Sequence, residues 1–367
     1  MSRIPNRLWN LETSCMPIHS HPEDSQTELA AIREAAAIAQ LNDRAFLRIT
    51  GSDAARWLNG MVTNAILTLA PGEGCYNFLL NAQGRIQGDC TIYRETTADP
   101  AAFLLATAAQ QIEAIQQHLD RFIIMDDVEL SRGLHIYGTQ SEKDLRGLVL
   151  LGPRAAELLL KSVVERDHVT SFAEAPRPGT LTLGSLEGRE VVILAPPNTS
   201  VLTYEVWCWD TRTIKELYRV WEFYNAVPIS AEALEQFRIL SATPRYGQDI
   251  RNTETARDLP QETSQTHALH FSKGCYLGQE IVERIHSRGQ VHRQFVAFRL
   301  TGDLPLTLPA PLEAAGKPAG ELTSAALVQL PEGPTLVALG YARREALDSR
   351  QTFSYAGGTA LPHPNKL

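Results

Sequence analysis

The sequence contains few cysteines, and none of them are spaced as the ligands of a metal site. The chain has five cysteines, an odd number, and no CxxC pair: Cys15, Cys75, Cys90, Cys208 and Cys275. This pattern excludes a disulfide scaffold, and it excludes a zinc or iron-sulfur site whose four ligands all come from this chain. It favours a reducing compartment, and we predict no metal site.

Long apolar runs are also missing. No run approaches the roughly 18 residues that span a bilayer, and residues 1–27 have no apolar core of signal-peptide length. We therefore expect a cytoplasmic protein that binds no membrane. The formal net charge of −8 argues against a general nucleic-acid partner, although a local basic patch stays open.

The order of apolar patterns predicts more than one domain. The chain has 367 residues, 44% of them hydrophobic, which is enough for sizeable cores. A polar arm, 1–27, precedes an Ala-rich segment that we expect to be a helix over 28–40. Two segments, 44–122 and 133–227, then repeat the order strand, helix, hairpin, strand, helix. Short β-like runs from about residue 290 predict a small β-barrel or sandwich.

These patterns predict an α+β fold with two related α+β layers and a small C-terminal β-barrel. We expect these parts: an arm over 1–27, a first α+β domain over 28–132 completed by 226–289, a second α+β domain over 133–225, and a barrel over 290–367.

The segment KGCYLGQE, Lys273 to Glu280, concentrates chemically useful groups. An ammonium a few ångströms from a sulfur favours the thiolate, so Lys273 and Cys275 form a candidate catalytic pair. The alternative is a glycine-rich entry into a helix, with Cys275 as a small buried apolar residue. The residues alone leave both interpretations open.

The rest of this motif supplies backbone freedom and polar groups. Gly274 and Gly278 allow conformations that a Cβ would resist. Tyr276 adds an aromatic ring, Gln279 an amide and Glu280 a carboxylate.

Basic residues cluster around this motif. Arg284, Arg288 and Arg293 join Lys273 against two glutamates, so the window is net positive in an acidic protein. Guanidinium groups bind carboxylates and phosphates bidentately, which makes the three arginines candidates for an anion site. A solvated basic face is the alternative.

Two further residues stand out elsewhere in the chain. Asp89 lies in an alternating strand, where an acid points either to solvent or into a cleft. Arg238 lies in a helix with apolar neighbours, where a structural salt bridge is the alternative to a functional role.

Several segments together resemble a known family. KGCYLGQE, preceded by LPQE at 259–262 and PRYGQDI at 244–250, is similar to the signature of the folate-binding YgfZ proteins. These are relatives of the aminomethyltransferase T-protein of the glycine cleavage system. FLRITGSDAARWLNGMVTN and NAQGRIQGDCTIYR resemble the N-terminal half of that superfamily, and AGKPAGELTSAA with ALGYARRE resembles its barrel.

The resemblance implies three domains around a central cleft that binds tetrahydrofolate. It implies an accessory protein for the assembly or repair of iron-sulfur clusters in client enzymes, including enzymes that modify tRNA. It places Cys275 as the reactive motif thiol, because T-proteins lack a cysteine there. It makes Asp89 and Arg238 matching positions for the folate pocket. Whether the thiol carries sulfur, iron or neither stays open.

The sequence also departs from the family pattern. Ala65 stands where an Asp commonly follows the Asn of VTN, Leu240 and Ala242 replace a carboxylate and a glycine, and Gly88 stands where T-proteins have an acid before Asp89. These changes argue against aminomethyl transfer. The alternative nevertheless stays open: a folate-dependent aminomethyltransferase or demethylase with Asp89 as its acid.

Overall fold

The computed structural model describes residues 22–96, 101–134, 144–165, 172–254, 256–289 and 291–363. Most of the predicted arm lies outside these ranges, and residues 22–27 begin the first helix. The described residues form eight α-helices: α1 Pro22–Glu34, α2 Ala54–Met61, α3 Ile112–Asp120, α4 Ala155–Ser162, α5 Thr211–Phe223, α6 Ala231–Leu240, α7 Gln279–Arg288 and α8 Arg344–Asp348.

The same ranges contain eighteen strands. They are β1 Ala37–Leu41, β2 Arg44–Thr50, β3 Gly74–Leu80, β4 Ile86–Arg94, β5 Phe103–Ala108, β6 Glu129–Arg132, β7 Arg146–Leu151, β8 Val164–Glu165, β9 Thr180–Leu186, β10 Arg189–Ala195, β11 Thr203–Cys208, β12 Val227–Pro228, β13 Arg293–Gly302, β14 Ala310–Ala314, β15 Lys317–Leu330, β16 Gly333–Arg343, β17 Phe353–Tyr355 and β18 Gly358–His363.

The strands form two sheets and a barrel. One sheet has the order β3-β4-β5-β2-β6, and the other has the order β12-β1-β7-β11-β10-β9-β8. The barrel is closed, in the order β13-β16-β15-β14-β17-β18. The predicted α+β class and C-terminal β-barrel are therefore confirmed.

The hairpin of β3 and β4 forms where the sequence predicts it. Asn81 Oδ1 accepts hydrogen bonds from the backbone N of Gln83 at 3.0 Å and of Arg85 at 2.9 Å. Such a side-chain bond to the following backbone is how asparagine closes a turn. Along β4, buried and half-buried residues alternate over most of the strand, as period two requires.

The two sheets pack face to face. Phe46 of β2 meets Trp207 of β11 edge to face at 5.0 Å, within an apolar cluster that also includes Val192 of β10. Arg44 and Glu205 form an ion pair across the same contact at 2.7 Å. Burial of aromatic and aliphatic side chains from both sheets stabilises this layer.

Two helices take part in the contact between the barrel and the seven-stranded sheet. Ile32 of α1 and Ile239 of α6 share one buried cluster with Val149 of β7 and with Val337 and Leu339 of β16. Helices α1 and α6 therefore lie between the seven-stranded sheet and the barrel.

The prediction of a helix over 28–40 is wrong for its C-terminal part. Helix α1 stops at Glu34, and residues 37–41 form β1, which pairs with β7 and β12. Alanine favours a helix in isolation, but strand pairing and complete burial of Ile38 outweigh that preference.

The sheet order places β1 apart from β2 along the chain. β1 lies in the seven-stranded sheet with β7 to β11 and β12, whereas β2 to β6 form the five-stranded sheet. The strand β7 was not predicted, and most of the expected strand at 133–138 lies outside the described residues. The predicted domain bounds stay predictions.

In the described ranges, no helix combines the length and the apolar character needed to cross a membrane.

Candidate functional site

The KGCYLGQE motif lies against the C-terminal end of α2. The Lys273 Nζ atom donates a hydrogen bond to the Asn59 carbonyl oxygen at 2.6 Å, and another to the Val62 carbonyl oxygen. The Leu277 N–H donates to the Gly60 carbonyl oxygen at 3.0 Å. Carbonyls at a helix C-terminus have no partner within the helix and carry partial negative charge. Lys273 therefore serves as a cap for α2.

This contact differs from the predicted pairing of Lys273 with Cys275. In the described part of the chain, the ammonium contacts the two carbonyls and the Tyr276 ring, whose centroid is 4.8 Å away. Burial lowers the pKa of Lys273 to about 7, and the charge of Cys75 opposes that shift. Cys75 is thus a thiol whose charge acts on the ammonium, and the pairing of Lys273 with Cys275 stays a prediction.

Cys275 itself is exposed, so the buried-cysteine alternative is wrong. Of the four cysteines that the structure describes, Cys275 is the exposed one; Cys75 is half-buried, and Cys90 and Cys208 are buried. The inward position of the motif belongs to Tyr276, which is 7% exposed. A surface thiol can meet another protein, which a buried one cannot.

Glycine at position 278 allows the motif to touch the β3–β4 hairpin. Gly278 has φ +83°, and a Cβ there would lie 2.5 Å from the Asn81 carbonyl oxygen and 3.1 Å from the Gly84 Cα. Only a residue without a side chain fits both the dihedral and the distance. The hairpin and α2 together fix the motif.

The last motif residues begin α7. Gln279 Oε1 accepts from the Tyr276 N–H at 3.2 Å, and the Gln279 N–H donates to the Tyr276 carbonyl oxygen at 3.1 Å. Glu280 is exposed in the first helical turn, where a carboxylate interacts favourably with the helix dipole. The glycine-rich helix entry is therefore present alongside the exposed thiol.

Asp89 lies in a network of neutral groups. The Tyr76 hydroxyl donates to Asp89 Oδ2 at 2.6 Å, and the Gln111 side-chain amide donates to Asp89 Oδ1 at 2.7 Å. Burial, followed by the charge of Asp89, raises the pKa of Tyr76 well above its usual value. The hydroxyl therefore stays protonated and holds the half-buried carboxylate in place.

Arg238, the second predicted folate contact, uses all its donors within the protein. Its guanidinium binds Glu235 through two nitrogens, Asp249, the Thr243 carbonyl oxygen and Ser324 at 2.6 to 3.0 Å. An arginine has five N–H donors, and these five bonds use them. The side chain links α6, the loop after it and the barrel. These contacts match the structural salt bridge that the sequence left open as an alternative to a functional role.

The arginines of the predicted anion site differ in their contacts, and the site itself stays a prediction. Arg293 forms ion pairs with Asp258 at 2.5 Å, Glu262 at 3.1 Å and Glu321 at 3.5 Å, so three carboxylates already surround it. Arg284 is exposed on α7 and has no ion pair among the described residues. The side chain of Arg288 lies outside the described residues, although its backbone ends α7.

Sequence reasoning missed several residues of this site. Asn59 Oδ1 accepts from the Ile66 N–H at 3.0 Å, so its side chain shapes the turn after α2. Tyr76, Gln111 and Cys75 were not singled out either. The segments LNGMVTN and NAQGR carried the family resemblance, but nothing in the sequence showed that they meet the motif.

In the part of the chain with described placement, no group of three or more His, Cys, Asp or Glu residues could hold a metal ion. The predicted absence of a metal site concerns the whole chain and stays a prediction.

Comparison with known proteins identifies the family. A family model described as the GCVT N-terminal domain matches residues 12–262. The chain belongs to the GCVT family. The aminomethyltransferase T of the glycine cleavage system from Bartonella henselae shares its fold, with a TM-score of 0.71 over 94% of this chain and 89% of that one, at 18% identity.

Within the GCVT family the chain is equally similar to proteins with two different names. It is 24% identical over 312 residues to the mitochondrial iron-sulfur cluster assembly factor IBA57 homolog of Neurospora crassa, covering 82% of this chain and 62% of that protein. It is 24% identical over 304 residues to an aminomethyltransferase of Exiguobacterium sibiricum, covering 82% and 77%. Identity alone does not choose between them.

Proposed function

We propose that this protein is a cytoplasmic, tetrahydrofolate-binding accessory protein for the assembly or repair of iron-sulfur clusters in client enzymes, tRNA-modifying enzymes among them. The observation that carries the proposal is the exposed thiol of Cys275. It lies in a motif that α2 and the β3–β4 hairpin hold in place. A fixed loop presents the sulfur to a partner without an ordering cost at each encounter.

The names of relatives support this class of function. The Neurospora crassa protein is named an iron-sulfur cluster assembly factor, and the motif resembles that of the YgfZ branch. Client enzymes or assembly proteins are the partners that this function requires, and Cys275 is the surface thiol that would meet them.

The folate part of the proposal depends on Asp89. Its carboxylate is held by two neutral donors, so no cation neutralises it in the described structure. A carboxylate has about four lone-pair sites, and the remaining ones suit the N–H groups of a pterin ring. The carboxylates of the folate tail would find a cation in Arg284, which has no ion pair among described residues.

The decisive experiment compares thiol variants in a strain that lacks this protein. Wild type, Cys275→Ser and Cys208→Ala are expressed, and the activity of iron-sulfur enzymes is measured. We expect wild type and Cys208→Ala to restore activity and Cys275→Ser to fail. Cys208 is a suitable control because it is buried in a cluster with residues of α5. Equal rescue by Cys275→Ser would remove the reactive thiol from the proposal.

The second candidate function is folate-dependent aminomethyl transfer. The aminomethyltransferase relative and the position of Asp89 favour it. A glycine-cleavage assay with a lipoyl carrier separates the two functions. Turnover that survives Cys275→Ser and disappears in Asp89→Asn would make the transferase the better description, whereas no turnover above background supports the accessory role.

A further inference from the structure

Side chains complete the backbone bonds of β4 where its pairing with β5 stops. In the described ladder this pairing begins at Thr91, so Asp89 lies two residues outside it. The Asp89 N–H donates to Gln111 Oε1 at 3.1 Å, and the Asp89 carbonyl oxygen accepts from the Thr107 hydroxyl at 2.8 Å. The side chains of Gln111 and Thr107 therefore take the places of backbone partners, as buried polar groups require.

The Gln111 amide binds Asp89 at two points. Besides accepting from the backbone N–H, it donates through Nε2 to Asp89 Oδ1 at 2.7 Å. The backbone bond fixes which way round the amide lies, because only its oxygen can accept a hydrogen bond. With the Tyr76 hydroxyl on Oδ2 at 2.6 Å, both carboxylate oxygens of Asp89 are held as well as its backbone.

Gln111 makes these bonds instead of capping its own helix. It is the N-cap residue of α3, a position where Ser, Thr, Asp or Asn usually bonds a free N–H of the first turn. Within the described structure the Gln111 side chain makes no such bond, and the residue is only 4% exposed. A buried amide that gives up a cap in order to bind one carboxylate indicates a role at that carboxylate.

Gly88 leaves the room that this contact needs. A Cβ at position 88 would lie 2.9 Å from Ile115 Cγ1 and 3.4 Å from Gln111 Oε1. Since close-packed interiors have no space for such an approach, a side chain at Gly88 would displace Ile115 or the helix that carries it. The missing side chain beside Asp89 and the position of Gln111 therefore belong together.

A second link holds the same part of β4. Gln110, the neighbour of Gln111, donates through Nε2 to the Tyr246 carbonyl oxygen at 3.1 Å, and the Tyr246 hydroxyl donates to the Gln87 carbonyl oxygen at 2.7 Å. Gln87 lies two residues before Asp89. The turn that begins α3 is therefore joined to β4 at both positions, directly at Asp89 and through Tyr246 at Gln87.

We propose that Gln111 is the positioning residue of the ligand site at Asp89, and that its amide sets the direction of the carboxylate before a ligand arrives. The inference rests on the proposed function in one respect, since tetrahydrofolate is the ligand assigned there to Asp89. A carboxylate that is already fixed loses little conformational freedom on binding, which raises affinity. Its remaining lone pairs then select a ligand whose N–H donors point in matching directions.

Affinity measures this positioning. Tetrahydrofolate is titrated calorimetrically into wild type and into Gln111→Met, which keeps the length of the side chain and removes both bonds to Asp89. We expect the affinity to fall about 3- to 10-fold, the cost of ordering one flexible side chain on binding. Gln117→Met makes the same change on the exposed face of α3 and should bind as wild type does. Equal affinities of Gln111→Met and wild type would contradict the proposal.

A double-variant cycle separates positioning from a general effect on the fold. If Gln111 acts through Asp89, then Gln111→Met should cost no further affinity once Asp89→Ala has removed the carboxylate. A loss of the same size in both backgrounds would show that Gln111 acts elsewhere in the site or on the fold, and the inference would be wrong.

A measurement without ligand keeps the inference apart from the proposed function. Because Gln111 Oε1 accepts from the Asp89 N–H, this amide should exchange its hydrogen about tenfold faster in Gln111→Met, as followed by NMR on the free protein. The amides of the paired segment Thr91–Arg94 should keep their rates. Unchanged exchange at Asp89 would overturn the inference. No binding of tetrahydrofolate to wild type would refute the folate part of the proposed function, whereas exchange at Asp89 would still decide for or against Gln111.

Discussion

Arg238 Nη1 lies 2.6 Å from Asp249 Oδ2, and the Asp249 side chain is completely buried. Removing one member of a buried, hydrogen-bonded pair leaves the other charge without a partner. We expect Arg238→Met to lower the free energy of unfolding by about 3–5 kcal/mol in urea titrations. The exposed Arg245 provides a control: Arg245→Met should cost less than about 1 kcal/mol. Equal losses for both variants would contradict the interpretation.

Gly278 and Gly316 both have positive φ, but only Gly278 faces a close neighbour. A Cβ at Gly278 would meet the Asn81 carbonyl oxygen at 2.5 Å, whereas a Cβ at Gly316 meets nothing within 4 Å. Alanine in a left-handed conformation costs about 1–2 kcal/mol, so Gly316→Ala shows that cost alone. We expect Gly278→Ala to lower the thermal midpoint further. The prediction fails if the two midpoints agree.

Lys273 makes stability depend on pH in a defined window. Its pKa is about 7 in the folded state against 10.5 ordinarily, so between these values the unfolded chain binds a proton that the folded chain does not. The free energy of unfolding therefore rises as the pH increases across this window, and this gain is lost as the pH falls to 7.

The Lys273→Met variant isolates this contribution. Relative to wild type, its free energy of unfolding should rise less steeply from pH 7 to 10, by at most about 1.4 kcal/mol per pH unit. Denaturant unfolding at several pH values measures the difference. The exposed Lys317 supplies the matched Lys317→Met control, which should run parallel to wild type. A Lys273→Met curve parallel to wild type would show that the lysine is not desolvated.

Asp89 should matter for ligand binding more than for stability. Asp89→Asn keeps the shape of the side chain and removes its charge. We expect tetrahydrofolate affinity to fall by about 10- to 100-fold in calorimetric titration, which corresponds to the loss of a charged hydrogen bond. Asp120→Asn, on the exposed end of α3, serves as the control. Unchanged affinity in Asp89→Asn would place folate elsewhere or nowhere on this protein.

The cysteines should differ in their reaction with a thiol reagent. Cys275 is exposed, Cys75 half-buried, and Cys90 and Cys208 buried. Burial also raises the pKa of Cys208 to about 12. Peptide mapping after short treatment of the native protein with iodoacetamide should find Cys275 modified first and Cys208 last. The reverse order for these two would contradict the placement of the motif loop.

The sequence predicted most local structure because local structure depends on neighbouring residues. The strand at 86–94, the Asn81 turn and the barrel strands follow from alternation and turn chemistry. The helix over 28–40 failed at β1, since the partners of that strand lie at 146–151 and 227–228 and no local pattern announces them.

The candidate site divides in the same way. Sequence alone determined the motif, its two glycines, the entry into α7 and Cys275 as a candidate reactive thiol. Tertiary structure alone decided that Cys275 is exposed, that Lys273 caps α2, and that Arg238 and Arg293 are used by buried carboxylates. The physical reason is that hydrogen bonds and charge pairs depend on distances in space, and the chain folds these partners together from remote positions.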